Sequence, residues 1–240
     1  MTAISGDDAA SHASGLVSSA IVAITRHIRA HELNPGDRLP SEAVLSRELS
    51  VSRTVVREAF RSLAAVRLID LSAGKRATVA QLDDRAMSLM IEHGVDTAQI
   101  SINQVYDARR TIEMRTAALA ALRRTDAEAR LILGHAQAMV DNFSDADSVM
   151  ESDLAFHLEI ARASRNPIFS ILIGAFQGIA RQTWPIGWRS RSSDAERQAM
   201  NRIHVELAEA ISAGDPQAAS QLMARHFDES AKALLAAGIA

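Results

Sequence analysis

The chain contains no cysteine among its 240 residues, and aromatic residues make up only 4% of it. The absence of cysteine excludes disulfides, thiolate catalysis and cysteine-type zinc sites, so any metal must be held by histidine and carboxylate side chains. Long apolar runs are also missing, because no segment reaches the roughly 20 apolar residues that a membrane span needs. The polar N-terminus MTAISGDDAASHAS lacks the layout of a signal peptide. The sequence therefore predicts a cytoplasmic protein with no membrane partner.

Charge is unevenly distributed along the chain, although the net charge is only −3. Residues 20–82 hold ten Lys and Arg against six Asp and Glu, whereas residues 83–240 hold sixteen against twenty-one. A basic N-terminal module on an acidic body is typical of a local nucleic-acid contact surface. An excess of four basic residues fits chance variation equally well, so the charge pattern alone does not establish that this module binds nucleic acid.

The N-terminal part of the sequence begins with a helical pattern. Apolar residues at helical spacing, including Leu16, Ile24 and Ile28, predict a helix from Ser14 to about Ala30. The segment NPGDRLP ends it, because proline and glycine do not continue a helix.

Two shorter helices and a hairpin are predicted next. Ser41 is placed to cap a helix that ends near Glu48, and Ser52 to cap another that ends near Val66. The segments LIDLS and RATVAQL then read as two short strands joined by a turn with a basic tip. Three helices followed by a two-stranded wing are the layout of a winged helix-turn-helix.

The remainder of the chain reads as helices separated by turn residues. The predicted helical stretches are 83–93, 99–123, 125–142, 144–164, 166–184, 193–213 and 215–236. The segment WPIGWRSRSSD, residues 184–194, is predicted to be a loop. The fold class is therefore mainly α, with a disordered tail at 1–13, a winged helix-turn-helix at 14–82 and an all-α helical bundle at 83–240.

Asp153 and His157 lie four residues apart in a predicted helix, so both side chains share one face and can meet a single cation. The same spacing also occurs in simple surface ion pairs. His204 lies eleven residues before Asp215 and His226 eleven after it, so a helical hairpin turning there would bring both rings to one level. One aspartate and three histidines suit Zn²⁺, Ni²⁺, Co²⁺ or Mn²⁺, and we predict one divalent transition metal per chain.

The segment PGDRLPSEAVLSRELSVSRTVVREAFRSLAAVRLIDLSAGKRATV, residues 35–79, resembles the DNA-binding domain of the GntR family of bacterial transcription regulators. The matching pieces are G-x-x-LPSE, the helix SRTVVREAF and the wing GKRATV. One departure is Ala43, where family members commonly carry arginine.

This resemblance implies contact with double-stranded operator DNA. The residues implied are Arg38, Ser52, Arg53, Thr54, Arg57, Gly74 and Lys75. Arginines at this helix position can read guanine with two hydrogen bonds in a fixed fork. Charges four residues apart more often mark a solvated helix face, but in a helix-turn-helix with a basic wing they favour DNA contact.

The segments YDARRTIEMRTAALAA and DLAFHLEIARASRNP, with the two later histidines, resemble the all-helical, FCD-like sensor domain of the FadR-type branch. The resemblance implies a metal held by Asp153, His157 and the two later histidines, and a carboxylate effector held by Arg109. The alternative for Arg109 is a salt bridge to Glu113 one turn away.

Three further residues of the second domain bear on this predicted site. Asn201 is a candidate effector contact, although no spacing singles it out. Trp184 and Trp188 are better explained by packing than by ligand contact.

These observations predict a bacterial DNA-binding regulator, a repressor rather than an enzyme. It would bind a palindromic operator as a homodimer, under control of a small carboxylate such as a sugar acid. Two alternatives remain at this point. One is a metal-dependent enzyme in which an open metal position activates water; the other is a regulator whose metal is purely structural.

Overall fold

A computed structural model of the chain describes the backbone of residues 6–239 and the side chains of residues 14–239. The elements in the described part of the chain are α1 (Gly6–Ala30), α2 (Glu42–Glu48), α3 (Arg53–Ala65), β1 (Ile69–Asp70), β2 (Thr78–Val79), α4 (Arg85–Asp96), α5 (Ile102–Arg123), α6 (Asp126–Asp141), α7 (Ala146–Ala163), α8 (Pro167–Ala175), α9 (Gln177–Ser190), α10 (Asp194–Ala213) and α11 (Pro216–Ala236). They form two compact units that divide between Ala86 and Met87. The fold is mainly α, as predicted.

The first unit is a winged helix-turn-helix. Helix α1 packs against α3, and the core contains the fully buried side chains of Leu39, Val56 and Ile69. Strands β1 and β2 pair antiparallel, with Ile69 opposite Val79 and Asp70 opposite Thr78. These strands are shorter than predicted: only two residues of each predicted segment pair across the sheet.

The helix boundaries in this unit follow the predicted caps. The Ser41 hydroxyl accepts a hydrogen bond from the backbone N–H of Val44 at 3.3 Å, and Ser52 accepts one from Val55 at 3.3 Å. Each cap satisfies a backbone donor that has no partner within its own helix. Helix α1 starts at Gly6 instead of Ser14, within the segment expected to be disordered. Residues 1–5 of that segment lie outside the described residues.

The second unit is a helical bundle built around α5, α7, α10 and α11. Helix α5 packs along α11 and α7, while α10 packs on α6 and α11. Their facing sides are apolar, with Ile132, Phe156 and Leu207 fully buried in the shared core. This packing fixes the positions of polar side chains that the same helices carry into the interior.

The prediction of a loop at 184–194 is wrong for residues 184–190, which are helical and belong to α9. Helix α9 continues through Pro185 although proline removes a backbone hydrogen bond. Trp184 and Trp188, one helical turn apart, stack at 4.9 Å and pack against the core of the bundle. Burial of these two large side chains offsets the cost of the proline.

The predicted helix at 166–184 is also divided. Helix α8 ends at Ala175, and α9 begins at Gln177. Of the helices in the described part of the chain, none combines the length and apolar character that crossing a membrane requires.

Candidate metal centre

Asp153, His157, His204 and His226 meet in the interior of the second unit. Helix α7 carries the first two, and α10 and α11 carry one histidine each. All four are buried, and one potential ligand atom from each lies within 4.8 Å of the others. Helix α10 ends at Ala213, the next residue Gly214 reverses the chain with a φ of 74°, and α11 packs back on α10. The rings of His204 and His226 are 4.6 Å apart as a result.

The hydrogen bonds of two of these histidines fix which ring nitrogen is free. His204 Nδ1 lies 3.0 Å from the carbonyl oxygen of Met200, and His157 Nδ1 contacts the Glu113 carboxylate. A carbonyl or carboxylate oxygen can only accept, so both Nδ1 atoms carry the proton. Each Nε2 atom is then free to act as a ligand. This is the arrangement that outer partners impose on metal-binding histidines.

Three ring nitrogens at this point are buried and make no hydrogen bond to any described residue: His157 Nε2, His204 Nε2 and His226 Nδ1. His204 Nε2 lies only 2.8 Å from Asp153 Oδ1, but not in a direction that makes a hydrogen bond. Buried polar atoms without partners are costly, and lone pairs facing a carboxylate repel it. A divalent cation between these atoms would remove both costs, so the side chains fit a metal.

Electrostatics favour the ligand forms of two of these groups. Burial favours the neutral acid of Asp153, but its interactions with His204, His157 and His226 outweigh this and lower its pKa. Burial is the main cause that lowers the pKa of His226 well below its usual value, and the neighbouring His204 and His157 rings add to it. The geometry therefore presents an aspartate anion and a neutral imidazole to the same point.

Glu113 connects this cluster to Arg109. Its carboxylate accepts from His157 Nδ1 on one side and from Arg109 Nε, at 2.9 Å, on the other. Burial opposes its ionisation, but attraction to His157 and Arg109 outweighs burial and lowers the pKa of Glu113. Because the group is fully buried and negatively charged, it can hold both partners in fixed positions.

Arg109 was predicted both as an effector contact and as a partner of Glu113, and the structure shows the ion pair with Glu113. Its guanidinium also lies over the rings of Tyr106 and Phe227, at 5.6 and 5.2 Å from their centres. The terminal NH₂ groups donate to no side chain or backbone atom in the described part of the chain. Arg109 lines a cavity that it shares with Asp153, His204 and His226.

This cavity has a volume of about 50 Å³. Its polar lining consists of Tyr106, Arg109, Asp153, Thr183, Arg191, Asn201, His204, His226 and Ser230. Asn201 lies at the cavity, and its amide group donates to the Met139 carbonyl oxygen at 2.7 Å, which leaves the amide oxygen as an acceptor. Trp184 and Trp188 also line the cavity while packing on the core.

Sequence reasoning missed four contributors to this site. Glu113 was considered only as a partner of Arg109, because its contact with His157 joins two helices and leaves no spacing pattern. Tyr106 and Thr183, whose hydroxyls are 2.9 Å apart, come together in the same way. Arg191 stood in the segment predicted as a loop. In the sequence, the only indication that Arg191 could reach the site was its position shortly after Trp188.

The predicted DNA contacts lie on the surface of the first unit. Arg53, Thr54 and Arg57 are exposed on the first turns of α3, and Ser52 caps that helix. Arg57 makes a two-pronged ion pair with Glu42 of α2, with Nη2 to Oε2 at 2.8 Å and Nε to Oε1 at 3.3 Å. The guanidinium is therefore already held in one orientation.

The other predicted contacts belong to the wing and its neighbour. Gly74 has a φ of 70°, a conformation that glycine adopts without strain, and the adjacent Lys75 donates its backbone N–H to Ser72. Both are exposed. Arg38 is exposed as well and forms an isolated bridge with Thr78 of β2. The position without the expected arginine, Ala43, lies in α2.

A winged helix-turn-helix and a separate helical domain with buried polar ligands together define a one-component DNA-binding regulator. Residues 16–79 match the family described as bacterial regulatory proteins, gntR family, and residues 104–229 match the FCD domain. The chain belongs to the GntR family, in the FadR-type branch that carries an FCD domain. Members of this family are DNA-binding transcriptional regulators rather than enzymes, which removes the metal-dependent enzyme from consideration.

Several relatives extend over most of the chain. It is 30% identical to the galactonate operon transcriptional repressor of Escherichia coli (strain K12), over 78% of this chain and 82% of the relative. It is 28% identical to the HTH-type transcriptional regulator LutR of Bacillus subtilis (strain 168), over 83% and 92% respectively. The solved structure of Streptococcus agalactiae GntR has the same fold, with a TM-score of 0.66 at 24% identity over 89% of this chain and 97% of that one.

Proposed function

We propose that this protein is a transcriptional repressor whose affinity for operator DNA is controlled by a small carboxylate effector bound at a metal ion. The observation that carries the proposal is the set of three buried imidazole nitrogens without partners that converge on Asp153. One divalent transition metal per chain, such as Zn²⁺, Ni²⁺, Co²⁺ or Mn²⁺, would be held by Asp153, His157, His204 and His226. Bound there, the metal would supply positions for carboxylate oxygens.

The side chains around the cluster suit an anion. Arg109 lies at the adjoining cavity with two NH₂ groups free, and a guanidinium binds carboxylate through paired hydrogen bonds. Asn201 offers its amide oxygen to an effector hydroxyl. A cation, an arginine and an amide together suit a hydroxy acid or a sugar acid. Similarity to the galactonate operon repressor of Escherichia coli makes galactonate one acid to test.

DNA recognition is assigned to the exposed residues of the first unit. Arg53 and Arg57 would read base edges in the major groove, while Ser52 and Thr54 contact phosphate or base edges. The wing, with Gly74 and Lys75, and the neighbouring Arg38 would bind the flanking backbone. One such helix reads only a few base pairs, so we propose a homodimer on a palindromic operator. A regulator that binds bacterial operator DNA would act in the cytoplasm.

The proposal is tested by measuring operator affinity with and without acid. An operator fragment is selected with the protein itself from random DNA, and Zn²⁺-loaded protein is then titrated into it with galactonate, lactate or malate present. We expect at least one acid to weaken operator binding by about 5–150-fold, the usual range of allosteric coupling. An acid that binds by calorimetry and leaves operator affinity unchanged would contradict effector control. If the metal were purely structural, no acid would bind at the metal centre.

Glu113→Gln tests the proposed support of the metal ligands. Glutamine keeps the size of the side chain but removes the charge that faces His157 and Arg109, so metal affinity should fall about 10–100-fold. Competition with a chelator measures that affinity. Glu159→Gln is the matched control, because Glu159, on α7, is a buried glutamate like Glu113 but pairs with Arg162 instead of a candidate ligand. Equal effects of the two substitutions would assign Glu113 a general packing role.

A further inference from the structure

Arg191 lies where the metal-side cavity meets a larger pocket. It directly follows α9 and lines the cavity beside Asp153, His204 and His226. It also lines an outer pocket of about 520 Å³ between α10, α11 and the turn that precedes α10. Met200 is the other side chain shared by both spaces. Arg191 therefore lies at the boundary between the two spaces.

The charge of Arg191 is not neutralised by the chain in its described part. Its Nη1 donates to the Gly187 carbonyl oxygen at 2.9 Å, and no carboxylate oxygen comes within 4.0 Å. Burial lowers the pKa of Arg191 by more than the attraction of the more distant Asp153, Tyr106, Glu229 and Glu196 raises it. Arg109, by contrast, has Glu113. A half-buried guanidinium without an acidic partner beside a cavity is suited to receive an anion.

The other cations of the outer pocket already have acidic partners. Lys232 Nζ lies 2.6 Å from Glu229, and Arg225 lies 3.4 Å from Glu206. Arg191 is thus the cation of this pocket that an anionic ligand can neutralise without breaking an existing pair.

The turn that carries Arg191 is held in place by Arg197. Its guanidinium donates to the carbonyl oxygens of Arg191 at 2.8 Å and Trp188 at 3.1 Å, and pairs with Asp194 at 2.7 Å. It also lies 5.7 Å from the centre of the Trp188 ring. Because its backbone is fixed in this way, Arg191 loses little freedom when it binds a ligand.

We propose that Arg191 binds a second anionic group of the effector and makes the sensor selective for diacids over monoacids. This inference rests on the proposed function, in which the first carboxylate binds at the metal and Arg109. The second carboxylate would lie toward the outer pocket, where Arg191 supplies a two-pronged contact.

The test compares L-malate with L-lactate, which share a 2-hydroxycarboxylate head and differ in the second carboxylate. Calorimetric titrations use the full chain loaded with Zn²⁺, with metal content measured before and after. Wild type should bind malate more tightly than lactate. In Arg191→Gln, the affinity for malate should fall about 10–100-fold, because the charge-assisted contact to the second carboxylate is lost. The affinity for lactate should not change. Arg189→Gln is the matched control, because Arg189 is exposed on α9 and lies outside both spaces.

The outcomes separate this inference from the proposed function. Equal affinities of wild type for the two acids would overturn selectivity for diacids. If Arg191→Gln lost affinity equally for both acids, Arg191 would contact the head group that the acids share. If Arg191→Gln lost its metal, Arg191 would instead support the metal centre. Either result would overturn the inference while the carboxylate sensor stands. Wild type that retains its metal and binds neither of these acids nor galactonate would overturn both.

Discussion

Replacing both His204 and His226 by alanine is expected to reduce the metal content from about one ion per chain to nearly none. The remaining ligands, Asp153 and His157, come from a single helix, and two ligands hold a transition metal far more weakly than four. The doubly substituted protein should also lose its response to carboxylate while still binding operator DNA, because the first unit is unchanged. Metal analysis of protein purified without a polyhistidine tag measures the first effect, and operator titration measures the second.

His135→Ala provides the matched control for the histidine pair. His135 is a half-buried histidine on α6 in the same unit, and it does not belong to the cluster. It should retain the wild-type metal content and effector response. A wild-type protein without metal, after purification in the presence of Zn²⁺ and Ni²⁺, would show that the four side chains serve another purpose. The DNA-binding assignment would be unaffected by that result.

Substitution of both Arg53 and Arg57 by alanine should nearly abolish specific operator binding. Each arginine that reads a guanine is worth about 1–3 kcal/mol, so the pair accounts for roughly 30-fold to 10⁴-fold in affinity. Folding should be little affected, because both side chains are exposed and the Arg57 pair with Glu42 is a surface ion pair. Fluorescence anisotropy with the selected operator and a scrambled sequence, at fixed salt, measures the loss.

The comparison with scrambled DNA distinguishes base reading from attraction to phosphate. If both arginines read bases, the affinity for operator should fall much more than the affinity for scrambled DNA. Equal losses on both sequences would assign these arginines to the phosphate backbone instead. Arg130→Ala, which removes an exposed arginine from α6 in the other unit, should change neither affinity.

Much of this fold follows from local signals in the sequence. Ser41 and Ser52 cap the helices for which they were predicted, because an N-cap depends on the few residues around it. The approach of His204 and His226 follows from equal spacing about the turn at Gly214 and Asp215, which also depends only on sequence distance.

The features that were missed depend on contacts between distant parts of the chain. Helix α9 continues through Pro185 because Trp184 and Trp188 bury their rings against other helices, and a proline in sequence carries no sign of this. Glu113 meets His157 across two helices, so its role cannot be read from the spacing of either one. The two spaces that Arg191 lines are formed by residues from several helices, so no local pattern in the sequence marks this residue.

The position of the four candidate metal ligands on three helices has a thermodynamic consequence. An ion held between α7, α10 and α11 would crosslink segments that are far apart along the chain, and it would bind the folded second unit in preference to its unfolded form. At a free metal concentration of 1,000 times its dissociation constant, such binding adds about 4 kcal/mol to the free energy of unfolding. The first unit holds none of these ligands and gains nothing directly. Metal supply would thus determine how much folded sensor a cell maintains, before any effector is present.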